Sequence, residues 1–301
     1  MSETLAADAL LRLSVCHETR YHYDAPVEVA HHMAHLRPRD TELQTVHDWS
    51  LEINPLPASQ VQQSQDVFGN WRHGFNHAQV HASLSVVSRF SVSLAPPPPL
   101  DTTQSPAWEQ VAQGLCYHAG VQQPAAVAFV LGSGFAPVHA QLAGYAPELF
   151  SPGRPLLELG LALMTHVYEH MVFNPDSTDV ATDALQALAL GQGVCQDFAH
   201  LMIGVLRSHG LAARYVSGYL LTHPPAGQAR LVGADASHAW LDLWCPMHGW
   251  VALDPTNNMR AAQDHVTLAW GRDYTDVAPL LGVVRGGGNA PPRVAVTVTP
   301  E

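Results

Sequence analysis

Residues 191–210, Gly-Gln-Gly-Val-Cys-Gln-Asp-Phe-Ala-His-Leu-Met-Ile-Gly-Val-Leu-Arg-Ser-His-Gly, constrain this chain more than any other stretch. They read as a glycine-marked loop that turns into a helix. Val194, Phe198, Leu201, Met202, Val205 and Leu206 recur at the spacing of one buried helical face. Gly210 falls where a helix C-terminus favours a residue free to take positive φ. Cys195 then lies in the first turn, where unpaired backbone N–H groups and the helix dipole favour a thiolate and could receive an oxyanion. By itself this pattern is more often an ordinary buried cysteine at a helix start than a nucleophile.

Downstream, Ser237–Trp244 alternates, with His238, Trp240, Asp242 and Trp244 on one face. Trp250–Thr256 alternates too, with Ala252 and Asp254 on one face. The turn-rich Cys245-Pro-Met-His-Gly249 between them predicts an antiparallel hairpin. Either Trp244 faces Trp250 and Asp254 lies one diagonal from His238, or a shift by two residues sets His238 opposite Asp254. Both registers keep the imidazole and the carboxylate on one face; a one-residue slip would part them. Cys195, His238 and Asp254 are thus the predicted nucleophile, general base and orienting carboxylate. Trp240, Trp244 and Tyr219 read either as the lining of a cleft or as core.

Before this segment the pattern is different. Leu11–Tyr23, Val46–Ile53 and His81–Leu94 alternate or are rich in β-formers, with Asp66–Trp71 as a turn flanked by aromatics. Pro96–Pro99 interrupts the pattern. The expected organisation is an all-β, sandwich-like N-terminal domain (residues 1–95), a Pro-rich linker (96–107) and an α+β catalytic domain (108–301). Helices are expected at Trp108–Ala119, Pro155–Val172 and Asp179–Leu190, the last capped by Thr178 or Asp179. A strand is expected at Ala213–Leu221 and a loop at Pro224–Gly233.

Composition excludes some partners. With 14 Lys+Arg against 26 Asp+Glu the net charge is −12, which disfavours nucleic acid and anionic membrane surfaces. No run has the length of a membrane span, and Met1–Asp8 lacks the pattern of a secretory signal. Cys16, Cys116, Cys195 and Cys245 show neither metal spacing nor a disulfide framework, so a reducing cytoplasm is expected. His31, His32 and His35 sit at tempting intervals, but the local pattern is extended and no further ligand type follows. No metal and no cofactor are therefore expected.

Gly193–His200, Arg214–Tyr219, Ser237–Trp240 and Gly249–Thr256 together resemble the bacterial branch of the transglutaminase-like superfamily, in order through about residues 155–260. Residues 11–95, with Leu36–Asp40 and Asp66–Asn70, resemble the β-rich N-terminal domain of that branch. Gly271–Val277 and Val294–Val298 resemble its C-terminal end. The resemblance implies a papain-like core in which a cysteine-bearing helix packs on an antiparallel sheet. It carries the nucleophile, base and carboxylate onto Cys195, His238 and Asp254. The expected activity is thiol-dependent acyl transfer on amide bonds of a peptide or protein substrate, through a thioester that water resolves. Two alternatives stand beside it: a protein-glutamine transglutaminase with an amine acceptor, and a non-catalytic peptide-binding module. The absence of an alternating-Asp calcium loop in the sequence disfavours a calcium-gated crosslinker. Substrate identity and oligomeric state are not readable from the residues.

Overall fold

The computed structural model describes residues 10–120, 122, 124–222 and 237–301. The expected Pro224–Gly233 loop and the Met1–Asp8 segment lie outside the described residues. The protein has an α+β core, with helices on a curled antiparallel sheet, preceded by a β-rich half-barrel.

Alternating burial builds the half-barrel. Its strands are β1 (Leu11–Ala34), β2 (Gln44–Asn54), β3 (Gln62–Gln65), β4 (Trp71–His77) and β5 (His81–Leu94). β1 is 24 residues long and bends at irregular pairing between His22 and Val27 and between Val27 and Val29. Such bulges increase twist and let one strand serve two stretches of a curled sheet. Its first part pairs with β5, its last part with β4.

The helical region follows with α1 (Trp108–Gly114), α2 (Ala140–Ala143) and α3 (Leu156–His170), then β6 (Val172–Phe173), α4 (Ala184–Leu190), β7 (Gln192–Gly193) and α5 (Cys195–Ser208). α1 stops short of the expected Ala119. α4 starts five residues after Asp179, because Asp183 is the cap: its carboxylate takes the N–H groups of Leu185 and Gln186, and Gln186 reaches back to the Asp183 N–H. Asp179 instead closes a local turn onto Ala181 and Thr182. Gly210 ends α5 with φ +77°, as the sequence pattern requires.

The core sheet is β8 (Ala213–Leu220), β9 (Ser237–Cys245), β10 (Gly249–Asp254), β11 (Met259–Arg260) and β12 (His265–Gly271), in the order β11-β10-β9-β8-β12. Ala239, Leu241, Leu243, Val251 and Leu253 turn to the helices and join one core with Phe198, Leu201, Met202, Val205 and Leu206 of α5. Every residue from Gln196 to Arg207 is buried, so α5 is enclosed on all sides. Its cationic end is satisfied: the Arg207 guanidinium donates to the carbonyls of Phe129, Ala213 and Arg272 and to Ser133 Oγ.

The linker near Pro96 does not divide the sheets. After α6 (Tyr274–Val277), the chain returns as β13 (Leu280–Gly286) and β14 (Arg293–Pro300), both antiparallel to β1. The half-barrel is thereby one seven-stranded sheet with strands from both chain ends. Leu13, Val15, Phe90, Val92, Tyr219, Val266 and Leu268 form an apolar cluster between the two sheets. Tyr219, one of the aromatic cleft candidates, is core: fully buried, with its hydroxyl 3.0 Å from His17 Nδ1. Two amide side chains clamp the edge strand β12. Gln44 exchanges hydrogen bonds with the Thr267 N–H and C=O (2.8 and 2.7 Å), and Asn70 does the same at Trp270 (3.0 and 2.7 Å). These side chains supply the ladder bonds that an edge strand otherwise lacks, at about 1 kcal/mol each.

Candidate active site

Cys195 opens α5, and the turn before it explains its position. Gly193 must be glycine on packing grounds: a Cβ there would lie 2.5 Å from Asp197 Oδ2. That oxygen accepts the Val194 N–H and the Thr178 hydroxyl, both at 2.7 Å. Asp197 thus caps the helix from within its first turn, and its carboxyl pKa is raised by burial, against the pull of those two hydrogen bonds. As a first-turn amide, the Cys195 N–H has no acceptor within the helix. The Cys195 side chain is half-buried.

The hairpin adopts the register with Trp250 opposite Trp244 and Ala252 opposite Asp242. Asp254 therefore lies diagonal to His238, and His238 Nε2 is 2.7 Å from Asp254 Oδ2. The carboxylate fixes the ring orientation: Nε2–H donates to Asp254, which leaves Nδ1 for the other side of the ring. Burial alone would push the imidazole down. Hydrogen bonding to the buried Asp254 carboxylate and its negative charge, with Cys195 adding in the same direction, outweigh it and hold the His238 pKa up to about 10. Asp254 is fully buried. Burial opposes its ionisation, but hydrogen bonds from His238, His265 and Asn257 hold the carboxyl well below the usual carboxylate range.

Sequence reasoning missed two residues here. Asn257 Nδ2 donates to Asp254 Oδ2 at 2.7 Å, and the Thr256 and Asn257 N–H groups bond Oδ1. The Asp-Pro-Thr-Asn run carried the signal, since an acidic residue opening a turn takes N–H groups two and three residues on. His265 Nε2 lies 3.1 Å from Asp254 Oδ2. No spacing announces it: β9 and β8 separate β12 from β10, and only the curl of the sheet joins them.

His238, Asp254 and His265 bring ligand-type atoms within 4.8 Å of one another, but the hydrogen bond on the far side of His265 does not suit a metal ion. The Ala262 N–H donates to His265 Nδ1 at 3.3 Å, so that nitrogen holds a lone pair and Nε2 holds the proton. A metal on Nε2 would require the reverse tautomer and set two N–H groups against each other. The cluster is a carboxylate between two imidazole donors.

Behind His265 lies a cavity of about 520 Å³, walled by Trp240, Trp250, Trp270, Leu94 and the Arg214–Asp242 ion pair (2.8 Å). Cys195, His238 and Asp254 are not in its walls. The Arg214 guanidinium lies 4.3 Å from the Trp250 ring centroid and 3.6 Å from that of Trp270. Trp240 is buried and forms the wall beside His265.

Residues 13–93 match the bacterial transglutaminase-like N-terminal region, and residues 143–255 match the transglutaminase-like superfamily core. An uncharacterized protein of Mycobacterium tuberculosis is 36% identical over 96% of this chain and 93% of its own length. Another, from Mycobacterium leprae, is 32% identical over 96% of this chain and 98% of its own. A protein-glutamine gamma-glutamyltransferase of Pseudomonas aeruginosa is 43% identical over 29% of this chain and 14% of its own length. Among solved structures, a proposed cysteine protease of Cytophaga hutchinsonii superposes with a TM-score of 0.76 at 19% identity, covering 97% of this chain and 91% of that one. The periplasmic domain of TgpA from Pseudomonas aeruginosa also matches, with a TM-score of 0.33 at 19% identity over 84% of this chain and 92% of that one. The expected cytoplasmic location is withdrawn: the TgpA domain among these matches is periplasmic. The physical ground for the expectation was also weak, because free cysteines occur on either side of a membrane when no partner lies in bonding range.

Proposed function

The chain belongs to the transglutaminase-like superfamily, and from that premise we propose that it is a thiol-dependent acyl-transfer enzyme acting on amide bonds of peptides or proteins. The observation that supports this reading is the His238 ring held 2.7 Å from the fully buried Asp254, with Cys195 opening α5 and among the groups that raise the ring's pKa. Cys195 gives its proton to His238 Nδ1 and attacks the amide carbonyl carbon. The resulting oxyanion is met by the Cys195 N–H at the start of α5. His238, charged and held by Asp254, delivers the proton to the leaving nitrogen, and the C–N bond breaks to leave a thioester on Cys195. Water then attacks with His238 as base, releasing the acid and restoring the thiol. Hydrolysis is the favoured outcome. The stretch of likeness to a glutamyltransferase supports a second outcome, in which an amine takes the place of water.

A peptide-library digest with and without a primary amine, read by mass spectrometry, distinguishes the two. Cleaved peptides alone mean hydrolysis, and amine-tagged glutamines mean transamidation. Iodoacetamide mapping tests the nucleophile. Cys195 is expected to alkylate well ahead of Cys16, Cys116 and Cys245, and Cys195→Ala to remove turnover by about six orders of magnitude. Uniform alkylation with turnover intact in Cys195→Ala would sink the proposal and leave the peptide-binding module in its place.

A further inference from the structure

The cavity behind His265 holds polar groups that the fold does not use. Its floor is the face of the core sheet turned away from α5, where Trp240 and Asp242 alternate with the core residues Leu241 and Leu243. Leu94 and Pro97, from the end of β5 and the linker, close it from the half-barrel side. Glu42 and His248 are exposed and mark its mouth; Trp240 and His265 are buried and mark its inner end.

Arg214 and Asp242 face each other across β8 and β9, with side chains 10% and 9% exposed. Arg214 Nε donates to Asp242 Oδ2 at 2.8 Å, and neither side chain makes a second hydrogen bond among the described residues. The Trp250 and Trp270 rings lie over the guanidinium at 4.3 and 3.6 Å, which leaves its Nη edge for a partner. Arg207, buried to a similar degree, is treated differently: it donates to three carbonyls and a hydroxyl. A buried polar group without a partner calls for an occupant, and here the unused atoms are the Nη donors of Arg214 and the Oδ1 acceptor of Asp242, both in the wall of one cavity.

The edge of a guanidinium takes a carboxylate through two parallel hydrogen bonds. A carboxylate alone would set a second negative charge beside Asp242, with Glu42 at the mouth, and be repelled. A ligand that brings its own ammonium for Asp242 cancels that charge. The indoles and Leu94 suit a large apolar body, and about 520 Å³ falls within the usual range of small-molecule sites, about 300–1,000 Å³. We propose that this cavity binds a free α-amino acid with a large apolar side chain: carboxylate on the Nη edge of Arg214, ammonium on Asp242 Oδ1, side chain among the indoles. Cys195, His238 and Asp254 do not wall the cavity, so this binding stands or falls apart from the acyl-transfer chemistry.

The test is calorimetric titration of the full chain with L-phenylalanine. One equivalent is expected at a dissociation constant of about 100 μM or tighter, within reach of a ligand of about a dozen heavy atoms. L-alanine lacks the apolar body, L-phenylalaninamide the carboxylate and N-acetyl-L-phenylalanine the ammonium. Each is expected to bind about tenfold or more weakly. Arg214→Lys keeps the charge and loses the fork, with a similar expected loss. Ala261→Trp, at a partly exposed position in the wall, fills the cavity and should abolish uptake. Circular dichroism checks that both variants fold, and Ala261→Trp decides the matter if Arg214→Lys does not. No saturable uptake of L-phenylalanine, uptake unchanged in Ala261→Trp, or equal affinity for the N-acetyl form would overturn the proposal.

Discussion

Two histidine clusters in this molecule look alike in composition and differ in what surrounds them. Around Asp254, each histidine Nε2 points at one carboxylate oxygen, and an amide N–H on His265 Nδ1 leaves that ring a donor. In the half-barrel, backbone carbonyl oxygens take one ring N–H each from His77 and His81 and leave the other nitrogen of each ring without a hydrogen-bond partner among the described residues. The same side chain is thus set up to move a proton in one place and to offer a lone pair in the other. Between His265 and the half-barrel rings, what decides is the polarity of the backbone group on one ring nitrogen, a matter of one N–H or one C=O.

The sharpest way to break this comparison is to remove the carboxylate. Asp254→Asn keeps the shape but offers His238 an amide that can present the wrong polarity, and kcat is expected to fall by about 10⁴-fold with the fold intact. Circular dichroism beside a turnover assay checks it, and a loss under tenfold would mean that His238 is oriented by something else. A smaller effect is expected at His265. His265→Leu leaves Asp254 one donor short and should lower kcat by about tenfold, on the order of one hydrogen bond to a charged group. His265→Gln, which can still donate, should recover most of that. Equal losses in both variants would point to packing against Trp240 rather than to the hydrogen bond.

The charge on His238 sharpens the comparison further. Its folded pKa near 10 stands above the ordinary 6.5. The stability that the charged ring contributes is therefore fully present below about pH 6.5 and is lost as pH rises through about 10. Imidazole NMR of the folded protein should show His238 still protonated at pH 8, and Cys195→Ala should move its titration downward by removing one group that raises it. A ring that titrates near 6.5 in both proteins would remove the coupling. The smallest effect is expected from cutting the linker. Limited proteolysis should nick between about residues 95 and 107, where Pro98 and Pro99 are exposed. The two pieces should then co-elute, because β13 and β14 stay paired to β1. Separation of the pieces under native conditions would restore two independent units.

Much of the site was legible because local rules govern it. The buried face of α5, the stop at Gly210 and the shared face of His238 and Asp254 follow from periodicities of 3.6 and 2 that tertiary context had no reason to overturn. The cap of α4 was misread because Thr178, Asp179 and Asp183 all have capping side chains, and only the path of the turn decides which carboxylate meets free N–H groups.

The sequence by itself determined a cysteine at a helix start, a hairpin that keeps an imidazole and a carboxylate together, and a β-rich leading half. Each depends on residues within one element or on two elements joined by a short turn. Tertiary structure alone decided the rest. Residues 254 and 265, or 32 and 77, meet because sheets curl: His265 reaches Asp254 across two intervening strands, and β1 bends to bring His32 beside His77. The return of β13 and β14 to β1 likewise depends on the path of the whole chain. Curl accumulates from the twist of every strand in a sheet, so no window of sequence short enough to read by pattern contains it.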